Sequence, residues 1–206
     1  MEQKSNNQTA CDADSKDIAR IIADVFSRYS SDNSIKASML PDIDLYVDQI
    51  TTFLTQHLSN TTRSADDKIM TKTMINNYTK NHLLPPPVKK KYSKDHILLL
   101  IFIYYFKNFL PISDIQAILG PLAEQYFHKE GNLDLENIYS TLFSKESMYI
   151  ENFRENILKE YNLSADIFAG APKGDQEYLR EFSFICILSL DIYIKKQLIE
   201  AIIDSK

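Results

Sequence analysis

Glycine is scarce: the 206-residue chain has four, Gly120, Gly131, Gly170 and Gly174. Dinucleotide-binding turns and phosphate loops need glycine where the backbone must approach a ligand, and these four form neither pattern. Cysteine is scarcer still. Cys11 and Cys186 stand far apart and make no disulfide framework, which suits a reducing compartment. Long apolar runs are missing too. The longest, ILLLIFIYYF at 97–106, falls well short of the roughly 20 residues a spanning helix takes. The opening MEQKSNNQTACDADSKD is polar, with no signal-peptide core. The expectation is a cytoplasmic protein with no membrane partner.

Signatures of catalysis are also lacking. His57, His82, His96 and His128 are scattered, and there is no HExxH, no paired-cysteine zinc spacing and no Walker motif. Asp95 and His96 are adjacent, but neighbours on a helix point about 100° apart and do not share a metal by spacing. His57 sits on an apolar stripe and reads as a core or boundary histidine. Glu130, Asp134 and Glu136 cluster near a turn, where carboxylates are ordinarily helix N-terminal acids. The reading is a non-enzyme with no catalytic residue, no metal, no cofactor and no identifiable small-molecule ligand.

What is present is a globular composition, 44% apolar and 25% charged, with its charge unevenly spread. Net charge is −5. Residues 68–96 nevertheless hold seven lysines (Lys68, Lys72, Lys80, Lys89, Lys90, Lys91, Lys94) against one acid, Asp95, so this segment carries +6 and the remainder −11. A basic patch on an acidic body is a common footprint of a nucleic-acid contact.

Periodicity predicts an all-α chain. Residues 1–14 read as a disordered lead, and Ser15 caps a first helix with Ile18, Ile21, Ile22, Val25, Phe26 and Tyr29 at helical spacing. DIDLYVDQITTFLTQHL, after Pro41, puts Ile43, Tyr46, Val47, Ile50, Leu54, His57 and Leu58 on one stripe. A helix over 71–84 is stopped by Pro85, Pro86 and Pro87, and 88–92 could form a short wing. Ser93 caps a helix through the apolar run, ended by Pro111. Ser113 and Gln116 form a capping box for the next. A long helix is expected from Asp134 to Tyr161, with Ile138, Leu142, Tyr149, Phe153 and Ile157 as its seam. Another is expected from Asp175 to Ile203, apolar around most of its middle and therefore buried or at a subunit interface. The division read is a helical domain over 15–125 and a C-terminal helical region over 126–206.

The segment 71–84 carries the functional argument. Thr73, Asn76, Asn77 and Lys80 fall at i, i+3, i+4 and i+7 and so share a face, with Thr71, Ile75, Tyr78 and His82 on another. Asparagine pairs well with the N6 and N7 edge of adenine, and lysine with guanine or phosphate. Two successive asparagines are also poor helix formers. An ordinary solvated helix face is the competing reading of the same residues.

MTKTMINNYTKNHLLPPPVKKKYSKDHILLL resembles the start of a MerR-family domain, in which an aromatic-bearing recognition helix runs into Leu-Leu-Pro-Pro, a basic wing, Tyr-Ser and an apolar helix. Ile75, Tyr78, Leu83, Leu84, Pro85, Pro86, Tyr92 and Ser93 match that pattern. PDIDLYVDQI, MINNYTKNHLLPPPVKKKYS and ISDIQAIL together resemble an uncharacterised bacterial family, domain of unknown function (DUF) 1836, over about 39–120. The resemblance implies an all-α fold around a MerR-like winged helix-turn-helix at about 42–120, with additional N-terminal and long C-terminal helices. The MerR resemblance further implies a bacterial DNA-binding transcriptional regulator, with 126–206 as a dimerisation or effector part of a homodimer, whereas the DUF1836 resemblance implies a fold and no established activity. Lys72, Thr73, Asn76, Asn77 and Lys80 would contact double-stranded DNA in the major groove, and Lys89, Lys90 and Lys91 its phosphates. MerR proteins carry an arginine where this chain has Asn76. With the overall acidity, that keeps open a protein-interaction module on the same scaffold.

Overall fold

The computed structural model describes residues 18–29, 34–64, 66–131 and 133–206. The lead expected over 1–14 and the cap expected at Ser15 lie outside them. The described residues are mostly helical. Residues 18–27 form α1, followed by α2 (Val47–Leu58), α3 (Lys72–Lys80), α4 (Lys94–Phe106), α5 (Ile112–Tyr126), α6 (Leu135–Phe143), α7 (Glu146–Ile167) and α8 (Gln176–Asp204). Two short strands, β1 (Leu45–Tyr46) and β2 (Lys91–Tyr92), pair antiparallel with Leu45 opposite Tyr92 and Tyr46 opposite Lys91. No described helix is long and apolar enough to cross a membrane.

The chain divides into two compact units. One comprises the described residues of 33–146 together with 199–206. Its axis is α4, where every residue from His96 to Tyr104 is buried. A helix apolar on all sides must be covered on all sides, and β2, α5 and α6 pack against it. Ile50, Leu54, Ile75, Ile115, Leu135 and Tyr139 join the same core, with Ile199 and Ile203 from the end of α8 packed on it. Each such side chain contributes about 1.5–3 kcal/mol. The Tyr139 hydroxyl, deep in this core, donates to the Ile35 carbonyl, and burial raises its pKa.

The other unit comprises the described residues of 1–32 with 147–198. Its core is thin: Ile22, Ile157, Tyr161 and Phe184, with Ile18, Phe26, Leu158 and Leu188 around them. Tyr161 and Phe184 meet edge to face at 5.2 Å, and the Arg180 guanidinium lies 4.1 Å from the Tyr161 ring centroid.

Several sequence expectations are corrected. The helix expected from Asp42 begins at Val47. Leu45 points inward while Ile43 and Tyr46 are exposed, because this segment pairs with β2 in the alternating manner of a strand. The expected Ser113 to Gln116 capping box is not made. The helix starts two residues earlier, at Ile112 with Pro111 as N-cap, and the Ser113 hydroxyl turns to Asp114. The single helix expected over 134–161 is two, broken after Phe143, where Ser144 bonds back to Thr141 and Ser140. Its seam changes accordingly. Leu135 and Tyr139 are buried in α6, whereas Leu142, Tyr149 and Phe153 are exposed. The middle of α8 is largely exposed.

Candidate nucleic-acid interface

α3 begins at Thr71, whose hydroxyl accepts from the Met74 amide at 3.1 Å, a side-chain cap for a donor otherwise left unpaired. Ile75 and Tyr78 are buried and Met74 is half-buried, which fixes the rotation of the helix. Lys72, Thr73, Asn76, Asn77 and Lys80 are all exposed as a result. Nine helical residues span about 13 Å, comparable with the roughly 12 Å width of a DNA major groove.

The C-terminus of α3 is a Schellman motif. The Leu83 amide donates to the Tyr78 carbonyl and the His82 amide to that of Thr79, with His82 left-handed at φ 58°. Glycine usually fills that place. Burial of Leu83, Leu84 and Tyr78 holds the histidine there instead. His82 is therefore past the helix end and exposed, and not on the packing face that periodicity assigned to it.

After Pro85–Pro87 the chain makes a two-residue hairpin. Val88 and Lys91 exchange both backbone hydrogen bonds, at 3.1 and 2.9 Å, across Lys89 (φ 51°) and Lys90 (φ 65°). Two successive positive φ angles are the mark of a type I′ turn, which ordinarily selects Asn-Gly. Here both places hold exposed lysines, at a backbone cost of order 1 kcal/mol each. Lys91 is exposed as well, with its ammonium 5.4 Å from the Tyr46 ring centroid.

The hairpin leads into α4 through a buried histidine. The His96 Nδ1 accepts from the Ser93 amide at 2.9 Å, taking the role that glutamate or glutamine plays in a capping box. Its ring lies 5.2 Å from Tyr92 and 4.7 Å from Phe127 by centroids, both edge on. The carbonyls of Pro85 and Pro86 lie beside the ring, and Nε2 is buried with no hydrogen-bond partner among the described residues. Burial, and then the neighbouring His128, hold the His96 pKa down to about 4. The ring is neutral at pH 7 and wedges the proline segment against the start of α4.

The seven lysines of 68–96 do not act alike. Lys94 is committed to Glu136 at 2.8 Å and Asp42 at 3.5 Å. Lys72 faces Asp48 at 3.4 Å across exposed surface, a pairing worth little. Lys68, Lys80, Lys89, Lys90 and Lys91 are exposed and meet no carboxylate among the described residues. Sequence reasoning did not find Tyr46, Asp48 or His96. The Ser93-x-x-His96 spacing was the available signal for the last. Asp134, among the acids near the turn, caps α6 by accepting from the Asn137 amide at 2.7 Å, and no group of three or more metal-ligating residues occurs among the described residues.

A family model described as "Domain of unknown function (DUF1836)" matches residues 35–142, just over half the chain. The chain belongs to the DUF1836 family. The match takes in β1, α2, α3, the lysine hairpin, α4, α5 and nearly all of α6. The family assignment thus coincides with the larger core and with every candidate contact residue. No curated protein and no solved structure matches the chain.

Proposed function

We propose that this chain is a DNA-binding transcriptional regulator whose β1-α2-α3-hairpin segment works as a MerR-like winged helix-turn-helix in a binding, non-catalytic role. The observation that carries the reading is the exposed row Thr73, Asn76, Asn77 and Lys80 on a helix whose opposite face is locked into the core. In this reading α3 enters the major groove, Asn76 and Asn77 meet base edges, and Lys72 and Lys80 supply affinity. Lys89, Lys90 and Lys91 grip phosphate, which positions the protein without reading sequence.

Fluorescence anisotropy on labelled duplex DNA tests it. Affinity should fall with salt at a slope near −0.9 per phosphate neutralised. Lys90→Ala should weaken all sequences alike and reduce that slope by about 1, whereas Asn76→Ala should relax sequence preference. A second reading, a protein-interaction module on the same scaffold, draws on the net charge of −5 and on the carboxylates already facing Lys72 and Lys94. Flat anisotropy at low salt with folded protein would favour it.

A further inference from the structure

The unit built on α1, α7 and α8 holds a crevice. On α7, Tyr161, Ser164, Ala165 and Phe168 fall at i, i+3, i+4 and i+7 and share one face. Serine and alanine at the middle two places are too short to fill the space towards α8. A crevice of about 240 Å³ is left between these four, Ile18 of α1 and the first turns of α8. The Gln176 side-chain amide ties down the α7–α8 turn beside it, donating to the Ala169 and Ala171 carbonyls at 3.0 and 2.9 Å. The Ser164 hydroxyl is satisfied by the Tyr161 carbonyl at 2.6 Å. One polar group in the wall is left over. The Arg180 guanidinium lies 4.1 Å from the Tyr161 ring centroid, and its Nε is buried with no hydrogen-bond partner among the described residues. Arg180 forms no ion pair among them either.

We propose that this crevice binds a small apolar monocarboxylate, with its acid group on Arg180 and its hydrocarbon body along Tyr161, Ala165 and Phe168. A buried donor left unpaired is costly, and an acceptor brought by a ligand removes that cost. Arginine stacks on aromatic faces and meets carboxylates edge on with a planar fork. The Tyr161 ring thus fixes the plane of the guanidinium and leaves its edge for the acid. Charge limits what can enter. Glu177 and Glu181 also line the crevice and are exposed. Solvent screens them from one negative charge seated at the buried Nε. They repel a ligand with more, which disfavours phosphates and dicarboxylates. Arg180 in turn disfavours a cation. Size sets the rest, since the volume takes a body of about ten non-hydrogen atoms. The crevice lies outside the residues 35–142 that define the family and shares no residue with the lysine face.

The inference does not rest on DNA binding, and its test contains no DNA. Phenylacetate is the probe, titrated against the full chain and followed by ligand-observed NMR. It should bind with a dissociation constant of about 1 mM or below. Arg180→Met keeps an apolar stem over Tyr161 and removes the donor, and should weaken binding about 10-fold or more. Ala165→Leu fills the crevice and should abolish binding. Arg154→Met, on the same helix but beside Glu151 and outside the crevice, should leave it unchanged, and circular dichroism should show all three variants folded. Phenylacetamide has the same shape without the charge and should bind about 10-fold more weakly, while benzylamine should not bind. No binding of phenylacetate to folded protein at about 20 mM, or binding indifferent to Arg180→Met, would overturn the inference. Phenylacetamide or benzylamine binding as well as phenylacetate would overturn the choice of a carboxylate.

Discussion

α4 and the middle of α8 are made of nearly the same residues and meet opposite fates. In α4, nine consecutive side chains from His96 to Tyr104 are buried. Between Phe182 and Ile194 of α8, a stretch interrupted by one charge at Asp191, only Ser183 and Phe184 are buried. Apolar character on every side of a helix states a demand for cover. Whether one chain meets that demand depends on how many other elements are available. α4 belongs to a unit with six other helical or strand elements of the DUF1836 region, whereas the unit around α8 has α1 and α7. The same pattern thus makes a core in one place and an unfilled face in the other.

The largest test of that contrast is truncation on each helix. Leu99→Ala, at a fully buried α4 position, should cost about 2–5 kcal/mol in urea unfolding followed by circular dichroism. Ile192→Ala should cost less than about 0.5 kcal/mol when measured at protein concentrations too low for association. Equal costs would erase the distinction.

Acid separates the units next. His96 has its folded pKa depressed to about 4 against an unfolded value of 6.5, so the unfolded chain binds the extra proton between those limits. The contribution is whole above pH 6.5 and is lost as pH falls towards 4, for a total of about 3 kcal/mol. His96→Gln keeps an acceptor for the Ser93 amide and removes the titration. Stability of this variant relative to the parent should therefore improve by that amount between pH 7 and pH 4. An unchanged difference would mean that the ring is not held neutral by the fold.

The smallest expected effect lies in the hairpin. Lys89→Asn with Lys90→Gly relieves two left-handed lysines and should stabilise the chain by about 1 kcal/mol in the same unfolding assay, while weakening DNA binding in anisotropy. Gain in one and loss in the other would mark the turn as strained for function. Gain with no loss of binding would leave the lysines without that role.

Much of the larger unit was legible from spacing alone. Pro85–Pro87, Ser93 and Pro111 bracket elements close to where the structure has them, and the exposed row of α3 follows from Ile75 and Tyr78 being apolar. The unread parts depend on contacts distant in sequence. Nothing local tells that Leu45 will pair with Tyr92 and turn an apparent helix start into a strand. Nothing local puts Lys89, Lys90 and His82 in left-handed backbone either, since each defies the residue preference of its position and is held there by burial or pairing on both sides. Spacing groups α6 with the C-terminal region, yet Leu135 and Tyr139 belong to the core around α4. An amphipathic pattern names the face that will be covered and not the element that covers it.

The three prolines before the hairpin carry one more consequence. A two-stranded ribbon exposes unpaired backbone on its outer side, a template on which another chain could add a strand and begin to aggregate. Pro85, Pro86 and Pro87 have no amide hydrogen to offer such a visitor. The ribbon therefore ends at Val88, and the lysine turn can stand in solvent without seeding sheet growth.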